Sequence, residues 1–223
     1  MNKRAIDGFL ATLAAELGVP ARAFLTGAAA AALWGRVRPS LDVDLGLELR
    51  GARGQRWDQA VEAAVQRTTR LTGIPASVAE DIDHWGMITL LDYKRTSKRY
   101  RRFGALEVRL LDPVNWAIGK LTRALEPDIR DVAEVFRRQK VSLIRTATTW
   151  GRALRASPPS TSQSQFRRHV ESFFELEGRG IWGTGFDAGA AIRRFERSAR
   201  IVSPSPRSPR SPLTATSGRR RTR

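Results

Sequence analysis

Apolar residues recur every three to four positions from the start of the chain: Ile6, Phe9, Leu10, Leu13 and Leu17. That spacing lines one face of a helix, which Gly18 and Pro20 bring to an end. The period then changes. "RAFLTG" (22–27) reads as a short apolar strand closed by glycine, and "AAAAALWGR" (28–36) as a helix of high intrinsic propensity. Pro39 and Ser40 break that helix, and "LDVDLGLEL" (41–49) alternates with period two, as a strand does. Gly51 and Gly54 mark a turn before an amphipathic helix carried by Trp57, Ala60, Val61, Ala64, Val65, Thr68 and Leu71. Two more strands are expected at "MITLLDY" (87–93) and "ALEVRLL" (105–111), separated by the basic run "KRTSKRYRR" (94–102).

From Pro113 onward the pattern is helical, over 114–125, 128–139, 141–155, 165–177 and 187–199, with "SPPSTSQSQ" (157–165) as a linker. Trp150, Phe166, Phe173, Phe174, Trp182, Phe186 and Phe195 are spaced as the core of these helices. The sequence therefore predicts an α/β (α+β) core over 1–112, with a small mixed sheet and flanking helices, then a helical region over 113–200. The Ser-, Pro- and Arg-rich stretch 201–223 is too poor in apolar residues to fold and is expected to be disordered.

Composition changes this picture in two respects. There is no cysteine among the 223 residues, so neither a disulfide framework nor a thiolate metal site is available. The net charge is +17; subtracting the six arginines of the acid-free stretch 201–223 leaves +11 for residues 1–200, so the body is basic as well. Such a field draws polyanions and speeds their encounter. The N-terminal stretch has acids within its apolar period and does not read as a signal peptide. No segment approaches the roughly 20 apolar residues of a membrane span, and a cytoplasmic protein is expected.

Candidate chemistry centres on residues 26–48. On a strand, i and i+2 share a face about 6.6 Å apart. Leu41, Val43, Leu45, Leu47 and Leu49 then face a core, while Asp42, Asp44 and Glu48 face the other way. Neighbouring carboxylates repel unless a cation sits between them, and Mg²⁺ is held by such pairs together with substrate phosphates. The strand-to-helix turn Thr26-Gly27-Ala28 leaves backbone N–H groups free to hold phosphate oxygens, and Arg36 and Arg38 in the following loop can neutralise a triphosphate.

This pattern of a hydrophobic residue, Gly27 and a small residue, one helix, then Asp42-Val43-Asp44-Leu45 on a strand resembles the DNA polymerase β-type nucleotidyltransferase superfamily. A second segment, "LLDPVNWAIGKLTRALEPDIRDVAEVF" (110–136), is similar to the AbiEii-type nucleotidyltransferases, many of them toxins of toxin–antitoxin or abortive-infection systems. There a Lys-Leu is followed by D-x-x-D on the next helix, and Lys120-Leu121 with Asp128 and Asp131 occupy those positions. The resemblance spans residues 22–136. Ser40 matches the Ser or Thr ahead of the first aspartate, whereas Ala28 stands where members usually carry Gly or Ser, keeping the amide but offering no hydroxyl.

The resemblance implies a nucleotidyltransferase fold and transfer of a nucleoside monophosphate from an NTP to a hydroxyl of tRNA, another RNA or a protein. It implies Mg²⁺ or Mn²⁺ on Asp42 and Asp44, and Thr26, Gly27 and Ala28 cradling phosphates. Arg36, Arg38, Ser40, Asp128 and Asp131 would lie around the nucleotide, and Lys120 on the triphosphate. The wider superfamily has a third carboxylate that deprotonates or orients the attacking hydroxyl; Glu107 is the candidate and Asp92 its rival. A cognate antitoxin protein is an implied partner. Two other readings share these residues: a degenerate nucleotidyltransferase fold that binds RNA or DNA, and a partner-binding protein whose basic tail docks an acidic mate.

For the run 94–102, Tyr93 and Tyr100 suggest base stacking beside phosphate contacts. A solvated hairpin connection is the plainer alternative. Lys120 and Asp128/Asp131 likewise have structural readings, as a surface lysine and as first-turn acids favoured by the helix dipole. His84 and His169 have no ligand-spaced partner and are assigned no metal.

Overall fold

The computed structural model describes residues 1–35, 41–49 and 55–200. Arg36, Arg38, Ser40 and the stretch 201–223, to which the sequence gives roles, lie outside the described residues. Helix α1 (Lys3–Leu17) buries Ile6, Phe9, Leu10 and Leu13; Asn2 caps it by accepting the Ala5 N–H, and Gly18, at φ 62°, ends it. There follow β1 (Ala21–Thr26), α2 (Gly27–Trp34), β2 (Val43–Leu49), α3 (Gln55–Thr72), β3 (Ala76–Ala79), a 3-10 turn (Ile82–Trp85), a one-turn helix α4 (Tyr93–Thr96), β4 (Lys98–Phe103) and β5 (Leu106–Leu110). Then come α5 (Pro113–Arg123), α6 (Glu126–Arg138), α7 (Leu143–Ala156), α8 (Thr161–Trp182) and α9 (Ala188–Ala199).

The strands form one mixed sheet in the order β3-β2-β1-β5-β4. β1 runs antiparallel to β2 and parallel to β5, while β3 runs parallel to β2 and β4 antiparallel to β5. Val43, Leu45, Leu47, Val108 and Ala23 are fully buried, as their alternation requires. Leu41, expected on the same face, is 85% exposed because the strand begins two residues later. Trp57 Nε1 donates to Leu47 O at 2.6 Å and ties α3 to β2. The expectation of a small mixed sheet flanked by helices is met. No helix among the described residues is long and apolar enough to cross a membrane.

The strand expected at 87–93 is absent; the chain passes there through bends and a turn into α4. Its backbone groups find side-chain partners instead of a neighbouring strand. Thr89 N–H donates to Ser157 Oγ, Leu90 N–H to Asp83, and Asn115 Nδ2 donates to Leu91 O. Conversely, β3 and β4 were not expected. The linker is also shorter than 157–165, because α8 begins at Thr161.

Buried apolar residues of the sheet and of the C-terminal helices form one continuous cluster, from Ile6 to Ala199. Trp34 of α2 meets Trp116 of α5 edge-on at 5.2 Å, and the expected aromatic core is present. Within it the contacting rings among Phe136, Trp150, Phe173, Phe174 and Trp182 lie 5.7–6.5 Å apart, centroid to centroid, within the range that favourable aromatic pairs adopt.

Candidate functional site

Asp44 sits one residue into β2 and pairs across the sheet with Thr26, the last residue of β1. The chain turns directly from Thr26 into α2 through Gly27, whose φ is 62°. A Cβ on Gly27 would lie 2.0 Å from Asp44 Oδ2, so the carboxylate rests against the bare Cα of the glycine. Thr26 makes no side-chain cap to α2, which leaves the first amides of that helix open to an anion. Thr26, Gly27 and Ala28 are half-buried rather than sealed.

Thr26, Gly27 and Asp44 form one wall of a pocket of about 430 Å³, within the range that holds small molecules. Ser77 of β3 and Ile82, Ile88 and Leu90 supply a second wall, and α5 supplies a third through Asn115, Trp116, Gly119, Lys120 and Arg123. Trp116 Nε1 donates to Gly27 O at 2.8 Å, fixing α5 against the turn. Asp112, buried at the N-cap of α5, accepts from Val114 N–H, Thr96 Oγ1, Asn115 Nδ2 and Arg145. The start of α5 is thereby held to α4 and α7.

Burial and the neighbouring Asp42 push the Asp44 carboxyl above its ordinary value, against the pull of Arg123, a Ser77 hydrogen bond and Lys120. A carboxyl raised in this way favours the folded state below its unfolded pKa and loses that contribution as pH rises through the folded value. At neutral pH the ionised Asp44 therefore costs stability, and a bound cation would remove that cost. Asp42 is half-buried one residue before β2. Among the described residues no group of three acidic, histidine or cysteine side chains is gathered as a metal site. The donor set of two carboxylates still fits Mg²⁺, which completes its shell with water and substrate phosphates.

Lys120 is 3% exposed. Its Nζ donates to Asp128 Oδ1 at 2.8 Å and Asp131 Oδ2 at 2.9 Å, and lies 5.6 Å from the Trp116 ring centroid. Arg123, one turn further along α5, also donates to Asp128, at 3.1 Å. Asp128 and Asp131 are themselves buried and do not line the pocket. They stand behind the pocket wall, where they hold the ammonium of Lys120, the residue of the three that lines the pocket. Arg130, on the same helix, pairs with Glu126. His169 Nδ1 lies 2.8 Å from Leu121 O.

Glu107 is not brought to the aspartates. It pairs with Arg22, whereas Asp44 pairs with Thr26, so the two carboxylates are offset by four residues, about 13 Å along the sheet. Glu107 is bound instead by Arg109 at 3.0 Å, which holds its carboxyl below the usual range, and Arg22 lies 3.8 Å away. Asp92 is exposed, sits at φ 51° and pairs with Arg95 at 3.2 Å. Neither lines the pocket.

Sequence reasoning missed Ser77, Gly119 and Arg123 as pocket residues. Arg123 was within reach of it, being three residues from Lys120 and so on the same helix face. No family model, curated protein or solved structure matches the chain.

Proposed function

We propose that the pocket binds a Mg²⁺-bound nucleoside triphosphate and that the protein transfers its nucleoside monophosphate to a hydroxyl, as a nucleotidyltransferase of the polymerase β-like, AbiEii-type kind. The observation that carries this reading is the seating of Asp44 on the Cα of Gly27, in one pocket with Lys120 and Arg123. A carboxylate, open helix amides and cations converge there, as a metal-bound triphosphate requires. Asp42 and Asp44 would hold the divalent cation, which supplies neutralising charge between the carboxylates and the phosphates. The amides of Gly27 and Ala28 would orient the terminal phosphates. Lys120 and Arg123 would take up negative charge on the departing pyrophosphate as the acceptor oxygen bonds the α-phosphorus and the α–β bond breaks. Catalysis of this kind is mostly positioning and fixed electrostatics.

A second reading, nucleotide binding without transfer, is favoured by the distance of Glu107 from the aspartates.

Thermal melting tests the binding step shared by both. Mg²⁺ with NTP at about a hundred times its Kd stabilises the fold by about 2.7 kcal/mol, which is roughly 5–10 °C for a chain of this size. Gly119 lines the pocket, and a Cβ there meets nothing within 4 Å. Gly119→Leu should therefore fill the pocket without disturbing the core, while gaining up to about 1 kcal/mol of helix propensity. It is expected to melt at or above the wild-type temperature and to show no nucleotide shift. Asp44→Asn should also melt above wild type at neutral pH and lose the shift. A full nucleotide shift in both variants would place the ligand elsewhere.

A further inference from the structure

The edge strand β4 carries four cations in six residues: Lys98, Arg99, Arg101 and Arg102, all exposed. Arg101 pairs with Asp7 on α1 at 3.3 Å. Lys98, Arg99 and Arg102 make no ion pair among the described residues, because the nearby acids are already engaged: Asp7 by Lys3 and Tyr100 as well, and Glu107 by Arg109. Charged residues on an edge strand can serve simply to block edge-to-edge pairing. That does not account for this strand, since β3, the opposite edge of the same sheet, has no charged residue at all.

The register places these cations relative to the pocket. Arg99 pairs with Arg109 and, after an irregularity between Arg99 and Arg101, Arg102 pairs with Glu107. The irregularity puts Arg99 and Arg102 on the same face, which is also the face of Arg22, Glu48 and Asp44. β4 lies three strands from β2, about 14 Å across the sheet. Its Lys98 end is level with Leu110 and Leu25, next to the pocket, and the strand runs from there toward the far edge.

We infer that β4 is a docking strand for the sugar–phosphate backbone of a nucleic acid, whose end a few nucleotides on can enter the pocket. The inference makes the acceptor of the proposed transfer a nucleic acid; it rests on that reading for the chemistry, but not for the binding. The aromatic residues beside the strand do not offer stacking platforms. Tyr93 is buried, edge-on to Phe24 at 5.3 Å and donating to Asp81, and the Tyr100 ring has the Lys3 ammonium over it, 5.1 Å from its centroid, with its hydroxyl bound to Asp7. The expectation of base stacking at these tyrosines is thus corrected. Recognition falls to phosphate contacts, which position a strand without reading its bases.

The test is fluorescence anisotropy of the full chain with labelled oligouridylate and oligothymidylate, without NTP, across a salt series. Lys98→Ala/Arg99→Ala/Arg102→Ala is compared with Arg152→Ala/Arg155→Ala/Arg168→Ala, which removes the same charge from exposed helix positions. Losing three phosphate contacts should lower the slope of log affinity against log salt by about 2 and weaken binding at least about tenfold at low salt. The helix variant should keep the wild-type slope, and both should keep the nucleotide-induced melting shift. The tighter oligonucleotide identifies the sugar. Equal losses in the two variants, or a slope unchanged in the β4 variant, would overturn the inference, whereas loss of the melting shift in wild type bears on the nucleotide pocket alone.

Discussion

Replacing Lys120 with methionine is expected to destabilise the protein by roughly 3–5 kcal/mol, the largest effect of any single change in the pocket. The ammonium sits between Asp128 and Asp131, whose side chains are 0% and 5% exposed. Taking it away removes the ammonium from between two buried carboxylates, and Arg123, which also pairs with Asp128, is itself 60% exposed. At 2–4 °C per kcal/mol, the melting temperature should fall on the order of 10 °C. A loss of that size alone would not separate a structural lysine from a functional one. Lys120→Met/Asp128→Asn/Asp131→Asn separates them, because neutral groups at all three positions no longer strand a charge. It should recover most of the stability yet bind Mg²⁺-NTP at least about tenfold more weakly, the loss of one buried charged contact being worth 1.4 kcal/mol or more. Recovery of both stability and nucleotide affinity would make the lysine purely structural.

Gly27→Ala is the second. Alanine at φ 62° costs about 1–2 kcal/mol. Its methyl would also occupy the position of the Asp44 carboxylate, 2.0 Å from Oδ2, so one of the two must move. The melting temperature should drop by roughly 4–8 °C, and nucleotide binding should be lost because the carboxylate is displaced. The two contributions separate in a double-mutant cycle. Gly27→Ala/Asp44→Gly keeps the backbone strain but removes the collision, so the pair should couple by about 1 kcal/mol or more. Additive melting shifts would mean that the carboxylate does not rest on the glycine.

Much of this was legible in the chain, and what was not has identifiable causes. β2 and the α1 stripe were readable because one face of each is buried and the other is not. The Gly27 turn was readable because glycine is the residue that tolerates a left-handed backbone at low cost. β4 was hidden by its own charge: an edge strand with cations on both faces shows no period two. β3 is four small residues with nothing to alternate. The apolar run 87–93 imitates a strand, but side chains from distant segments, Ser157 and Asn115 among them, take its backbone bonds.

The site divides in the same way. Asp42 and Asp44 lie two residues apart on one short segment, so their nearness needs no help from the fold, although Asp42 falls just before β2 and Asp44 is the one that lines the pocket. Lys120 with Asp128 and Asp131 was visible as spacing, but which group faces the pocket depends on how α6 packs on α5. Glu107 was placed on the correct face of β5, and its four-residue offset from Asp44 follows from strand register, which the sequence of one strand does not contain.

The most direct measurement is a transfer assay. Wild-type protein and Asp42→Ala/Asp44→Ala are incubated with Mg²⁺, each NTP radiolabelled at the α-phosphate, total RNA and a cell lysate, and the products are separated by size and by nuclease and protease sensitivity. The account predicts label on an RNA acceptor with wild type and none with the double variant. Label equal in both, or no label from a wild-type protein whose melting temperature still rises with Mg²⁺-NTP, would contradict a nucleotidyltransferase; the second result would leave a nucleotide-binding protein on the same fold.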